Sequence, residues 1–400
     1  MRKKQFKIVL LILILILPIF IPNLCSAYEI LSNPKVLFVG GSGPGNYSSI
    51  QEAINDSNDG DTVYVYNGIY NETIVITKSI YLIAENKETT IIDGQQKDNT
   101  ILIDAEKVTV DNFTITGGWG EGVMNSFIAG ISVTRSNNII KNNIFYNNRL
   151  GLLGLRVTNL TIYNNTFTND GLLFYSYIVG KEERHPLKKE YFYHDIRDNL
   201  VNGKPIYYYK DQNNVIVPSD IGQLIAFNCK NLTIKNVNIS KCENGIIMAY
   251  CSNCTIENCS ISQTYGIWVF NSDNNIFKFN NISNNERHGI GLDFFCNNNI
   301  IKSNNITGNN YSGVIIEYYS RNNLIEKNNF INNGYNGFLL QALRNKWKCN
   351  YWDDWIGLKF KFLRWFPKII GGRLIDTLRI VKIIPCFNFD WNPAHEPYFI

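Results

Sequence analysis

Two acidic residues, Asp293 and Glu317, each lie four positions after a glycine that opens a short apolar run, GIGLD and GVIIE. If these runs stack as neighbouring strands, the two carboxylates share one outward column about 5 Å apart. Paired carboxylates at that spacing suit glycoside cleavage with retention of configuration. The same counting places Phe270 before the pair and Gln341 after it, with Trp268, Arg287 and His288 close by. Asp293 and Glu317 are therefore candidate catalytic residues. Trp268, Phe270, Arg287, His288 and Gln341 are candidate ligand contacts, because aromatic faces suit sugar rings and polar groups suit hydroxyls. A glycan-binding face without chemistry would use the same residues, and acids are also common on exposed strand faces. The wider acidic cluster and the lysine and arginine set of a uronate lyase are not evident in the sequence.

What must position these residues is a repeat. NNLIEKNNF (322–330) recurs as NNIIKNNIF (137–145), NLTIYNNTF (159–167), NLTIKNVNI (231–239), NCTIENCSI (253–261), NNIFKFNNI (274–282) and NNIIKSNNI (298–306). Apart from one jump of 72, the starts are 21 to 24 residues apart, the length of one turn of a parallel β-helix. Positions four and nine are always apolar and are expected to stack into a core. Position one is always asparagine, which tolerates left-handed backbone and could ladder its amide at the strand spacing of about 4.8 Å. Each block is accompanied by a glycine-led run such as GIIM (245–248) or GIWV (266–269), so the simplest expectation is two short strands per coil. The N-x-S/T sequons at Asn159, Asn231 and Asn305 follow from the same pattern, and glycosylation there is an expectation resting on the motif alone.

The ends of such a stack need covers. VLFV (36–39), a glycine-rich turn and SSIQEAIND, with Ser49 and Glu52 spaced as a capping box, predict a helical N-terminal cap. GGSGPGN (40–46) lacks the lysine and hydroxyl ending of a phosphate loop. The 72-residue jump marks an insertion at about 170–223, which contains His185 and His194. Beyond 356 the repeat stops, and residues 357–400 read as a C-terminal cap whose basic and aromatic residues could also touch a membrane surface.

Residues 1–27 follow a secretory plan: Arg2, Lys3, Lys4 and Lys7, an apolar run, then Cys25-Ser26-Ala27. Export to the cell surface or beyond is expected, an uncleaved anchor being the alternative. Loss of that segment takes 38 basic residues to 34 against 34 acidic, so the charge gives no reason to expect nucleic acid as a partner. Eight cysteines follow, an even number that could pair outside the cell. The spacing C-x2-C-x4-C at 251, 254 and 259 suggests metal at first sight, but Cys254 and Cys259 occupy the columns of Leu232 and Val237 and read as small buried hydrophobes. Cys229 and Cys251 share another column, consistent with a disulfide or with stacked thiols.

GNYSSIQEAINDSNDGDTVYVYNGIYNETIVI, the coils, NGKPIYYYKDQNNVIVP before GQLIAFNCKNLTI, and NYWDDW (350–355) together resemble exported right-handed parallel β-helix proteins of the NosD-like, carbohydrate-binding and sugar-hydrolase type, many of them archaeal surface proteins. The resemblance covers about 35–356. It implies an all-β, single-stranded, pectin-lyase-like β-helix over 28–356 and a structural or polysaccharide-binding role. It also admits a polysaccharide lyase or glycoside hydrolase, and a copper-site accessory. For copper, the chain offers scattered histidines and, past the leader, Met124 and Met248. The calcium-like acidic tail of related proteins is replaced here by Lys359, Lys361, Arg364 and Lys368.

Overall fold

The computed structural model describes residues 33–120, 128–175, 188–355, 367–375 and 383–400. The predicted leader, His185, Met124 and the basic run before Pro367 lie outside the described residues. No helix among the described residues is long and apolar enough to cross a membrane.

From Val36 onward the chain winds as a parallel β-helix of about 13 turns. Each regular coil carries three strands rather than the expected two. In one coil they are Ile300–Lys302, Asn305–Thr307 and Ser312–Glu317. The extra corner falls inside the nine-residue block, where Asn142, Asn164, Asn236, Asn258, Phe279, Ser303 and Lys327 all take left-handed φ of 52° to 56°. One such residue ends a strand after three residues and swings the chain to the next face. The seven asparagines at position one are left-handed as well, with φ between 54° and 65°.

Register keeps like residues in line: Ile300 pairs with Ile276 and Leu324, and Ile301 with Phe277 and Ile325. Positions four and nine are all buried, and Phe145 stacks on Phe167 with ring centres 4.6 Å apart. Each such side chain contributes about 1.5–3 kcal/mol of burial.

The amide ladders lie one column further in than expected. Asn275, Asn299, Asn323 and Asn345 pass hydrogen bonds from coil to coil, as do Asn280, Asn304, Asn328 and Asn350. Position two and position seven point inward, so their amides satisfy backbone groups at the corners, which bulk water does not reach. Position one bonds only at the surface, as between Asn159 and Asn137.

At the N-terminal end, Ser49 caps the helix Ile50–Asp56 by accepting from the Glu52 backbone N–H. The Glu72 carboxylate, not Glu52, completes the cap by accepting from the Ile50 and Gln51 N–H groups at 2.9 and 3.0 Å. At the other end the antiparallel hairpin Lys368–Ile375 and Ile383–Asp390 adds to the last coil through Leu340 and Trp347.

In the interval 170–223, Leu172–Tyr175, Asp195–Arg197 and Leu200–Val201 continue the three sheets of the preceding coils. The chain then reverses at Leu200–Val201 against Lys204–Lys210, which starts the sheet followed by all later glycine-led strands. A seam results: the strand Leu172–Tyr175 ends one sheet and a different sheet begins beside it.

The eight cysteines among the described residues are unpaired as disulfides. Cys254 and Cys259 are buried as expected, and the Cys251 thiol lies 3.4 Å from the Ala226 and Ala249 carbonyl oxygens that can accept its proton. Met248 is a core residue, and no three of His, Cys, Asp and Glu converge as metal ligands among the described residues.

Candidate functional site

The register brings most of the expected residues together. Phe270 pairs with Asp293, and Leu292 with Ile316, which sets Asp293 beside Glu317. Glu317 pairs with Leu340, so Leu340 and not Gln341 continues the column. Counting from glycine fails there because Gly337 sits opposite Val314, one place further along than Gly313. Gln341 instead occupies the left-handed corner beyond the strand, with φ of 52°.

Asp293 and Glu317 alternate with the fully buried Leu292 and Ile316, as outward residues must, yet they are only 4% and 6% exposed. Neither carboxyl stands free. Trp268 and Phe270 stack with ring centres 5.8 Å apart and are also buried. Gly291 is the partner of Trp268 in register, and the indole lies beside it. His288 meets Trp268 edge to face, and its Nδ1 is 2.7 Å from Ser312 Oγ. Burial, with the Arg287 charge beside it, pushes the His288 imidazole down to about 3. Arg287 lies over the Tyr265 ring, 4.9 Å from its centre.

Tyr265 leads to a second place that the sequence did not single out. After the strands that stack in line with Asn305–Thr307, a left-handed residue opens a corner, as at Asn147, Asn169, Lys241, Gln263 and Asn284, with φ of 53° to 58°. These corners stack and carry polar side chains outward. Along them run two adjoining cavities of about 340 and 460 Å³ that share Arg149, Asn169 and Glu286. Their combined size is that of a ligand cleft. Trp119 and Tyr146 line one part, each about two-fifths exposed, and Tyr265 lines the other. Arg149 places its guanidinium over Trp119, 5.6 Å from the ring centre, and its Nε has no hydrogen-bond partner among the described residues.

Two carboxyls are sunk into the wall of this cleft. Asp170 accepts from Asn148 Nδ2 at 2.9 Å, and Glu243 Oε1 accepts from the Gly151 N–H at 2.8 Å. Both are almost fully buried. The seam explains them: interrupting the sheet strips backbone groups of their ladder partners, and side chains replace the missing strand. Gln223 does the same, accepting from Leu172 N–H and donating to Leu172 C=O at 3.0 and 2.8 Å. Glu243 reaches Gly151 only because Gly171 lacks a Cβ, which would collide with Glu243 Oε2. That Oε2 has no hydrogen-bond partner among the described residues.

Burial pushes the Asp170 carboxyl up to about 7, and burial next to Asp170 raises Glu243 well above the usual carboxylate range. Asp170 therefore keeps its proton to about pH 7 in the fold but only to about 3.8 in the unfolded chain. Its stabilising contribution is complete below the lower value and is lost as pH rises through the upper one. Wild type minus Asp170→Asn stability, from urea unfolding between about pH 4 and 8, is expected to fall with rising pH by an amount on the order of 4 kcal/mol. His194 and His288, lowered to about 4 and 3, act in the opposite sense, losing stability as pH falls below about 6.5, but are common to both proteins and cancel. A difference that stays flat with pH would show that the two states hold this proton equally.

Sequence reasoning passed over Asp170 and Glu243 because single acids in polar turns are ordinary. The signal available was the jump in the repeat, since both acids flank it.

Residues 223–350 match the family model described as the right-handed β-helix region. Among solved structures, the chain is similar to a mannuronan C-5 epimerase A-module of Azotobacter vinelandii, with 12% identity, 75% of this chain and 71% of that one covered, and a TM-score of 0.30. It is similar to the lacto-N-biosidase of Eubacterium ramulus at 12% identity, with coverage of 78% and 68% and a TM-score of 0.35. The DFA-IIIase of Arthrobacter chlorophenolicus gives 13% identity, coverage of 80% and 95% and a TM-score of 0.40. A search of curated proteins gave no match. With the parallel register of the coils on both sides of the seam, the family match identifies the fold as a right-handed parallel β-helix.

Proposed function

We propose that this chain is an exported polysaccharide-binding β-helix protein and that the cleft along the stacked corners is its binding site. The observation that carries this reading is the cleft's lining. Trp119 and Tyr146 offer partly exposed rings, and Arg149, Asn147, Asn169 and Glu286 offer donors and acceptors beside them. A sugar ring needs that combination, an apolar face to stack and a rim of hydroxyls to bond. The corners repeat coil by coil at about the strand spacing, which suits an extended polymer better than a compact ligand.

Affinity electrophoresis and calorimetry with laminarin, lichenan, xylan, galactomannan, polygalacturonate and alginate test the reading. At least one polysaccharide is expected to bind, and Trp119→Ala with Tyr146→Ala is expected to weaken it at least about tenfold, by loss of two stacking faces. Failure of the wild type to bind any of them would sink the proposal, as would unchanged affinity in the double variant.

A further inference from the structure

We infer that the cleft hydrolyses the glycosidic bond of a neutral polysaccharide, with Asp170 giving the proton to the leaving oxygen and Glu286 taking one from the attacking water. This rests on the proposal that the cleft binds a polysaccharide.

Two features of the structure converge on it. Asp170 lines the same cavity wall as Glu286, Trp119 and Tyr146, so an acid and a second carboxyl border one cleft. Glu243 lies behind, 3% exposed, with Oε2 unbonded among the described residues and its other oxygen fixed on the Gly151 N–H. Two neighbouring buried carboxyls are not ionised together, so the site retains a proton that a lone surface acid would lose at neutral pH. The raised Asp170 carboxyl agrees with that geometry.

The charge of the lining selects the substrate class. Asp170, Glu243 and Glu286 line the cleft with Arg149 and Lys241. Cleavage of a uronate by elimination needs its carboxylate neutralised by cations, and with one proton held by the Asp170–Glu243 pair the two remaining carboxylates already balance Arg149 and Lys241, leaving no cation in excess. A neutral sugar meets no such conflict and takes hydrogen bonds from the same groups.

In the step, water oxygen bonds to the anomeric carbon as the bond from that carbon to the bridging oxygen breaks. The water's proton passes to Glu286 and the Asp170 proton to the bridging oxygen, so one hydroxyl and one new reducing end appear without redox change. Glu243 touches none of the reacting atoms in this scheme and is a positioning residue for Asp170.

The test uses the full chain with laminarin, lichenan, xylan and galactomannan, measuring binding and reducing ends together, and with polygalacturonate and alginate, measuring the absorbance of unsaturated uronate. Wild type is expected to release reducing ends from a neutral polysaccharide that it binds. Asp170→Asn and Glu286→Gln are expected to keep binding and to lose at least about a hundredfold in rate, the usual share of a general acid or base. With an aryl glycoside whose leaving group needs no proton, the Asp170→Asn loss is expected to shrink while the Glu286→Gln loss persists. Binding without cleavage would overturn this inference and leave the binding proposal intact, whereas absence of binding would overturn both. Unsaturated products from a uronate, or activity lost in Asp293→Ala and Glu317→Ala but kept in Asp170→Asn, would overturn it as well.

Discussion

Gly266→Ala is expected to destabilise the protein by about 3–5 kcal/mol, among the largest losses any single methyl group could cause here. Gly266 opens the strand that carries Trp268 and Phe270, and its φ of +93° lies beyond the left-handed region that asparagine occupies at the other corners. A Cβ there would fall on the His288 carbonyl oxygen of the next coil and come within 2.7 Å of the Gly289 carbonyl oxygen. Both obstacles are backbone, held by the sheet, so no side-chain rotation relieves them. The Gly266 N–H and C=O are committed as well, to Thr264 Oγ1 and to the Gly245 N–H. Relief must come from moving one coil against another, which disturbs the register from Ile246–Ala249 to His288–Asp293. Urea unfolding measures the effect. A loss below about 1 kcal/mol would mean that the corner relaxes freely and that its geometry does not constrain the stack.

Gly245→Ala supplies the contrast that locates the cause. Gly245 opens the neighbouring strand, but a Cβ there would meet side chains, Ile261 at 2.9 Å and Ile239 at 3.3 Å, rather than backbone. Methyl groups can turn aside, so the expected loss is smaller, about 1–3 kcal/mol.

The coils were legible because their grammar is local and repeated. An asparagine that opens a block and apolar residues at fixed offsets recur in seven coils, and a left-handed corner and a buried side chain follow from residue type alone. The ladder was misplaced because invariance is not direction. Position one is always asparagine, whereas position two alternates between Asn138, Leu160, Cys254 and Asn275, yet inward pointing at the corner makes the second column the buried one. Gln341 was misassigned for a similar reason, since a single residue fewer between Glu317 and the next strand shifts the count. The cleft was the least legible part. Asp170 and Glu243 are 73 positions apart, and only the seam, a tertiary event, sets both in one wall.

Asn328→Ala is expected to cost about 3–5 kcal/mol although it removes a polar group from a buried interior. Asn328 is fully buried, and its side chain works in both directions along the stack. Its Oδ1 accepts from Asn304 N–H and Asn304 Nδ2, both at 2.9 Å. Its Nδ2 donates to the Ile301 carbonyl at 2.9 Å and to Asn350 Oδ1 at 3.0 Å. Truncation to alanine therefore leaves the Asn304 N–H without its acceptor and takes one bond each from Asn304 Nδ2, the Ile301 carbonyl and Asn350 Oδ1, in a place that solvent does not reach. The ladder has a closed end that makes the argument sharper. Asp390, also fully buried, accepts from the N–H groups of Cys349 and Asn350, from Asn350 Nδ2 and from Trp352 Nε1 at 2.9–3.1 Å. A carboxylate suits that terminus because it only accepts, whereas every internal rung must both donate and accept, which an amide does. Asn322→Ala separates this role from that of the surface asparagines. Asn322 holds a left-handed φ of 59° at position one, so alanine there is expected to cost only about 1–2 kcal/mol, and glycine close to nothing. Equal losses at 322 and 328 in matched urea titrations would show that the asparagines serve the stack only as left-handed residues, and that the buried amide ladder adds nothing to it.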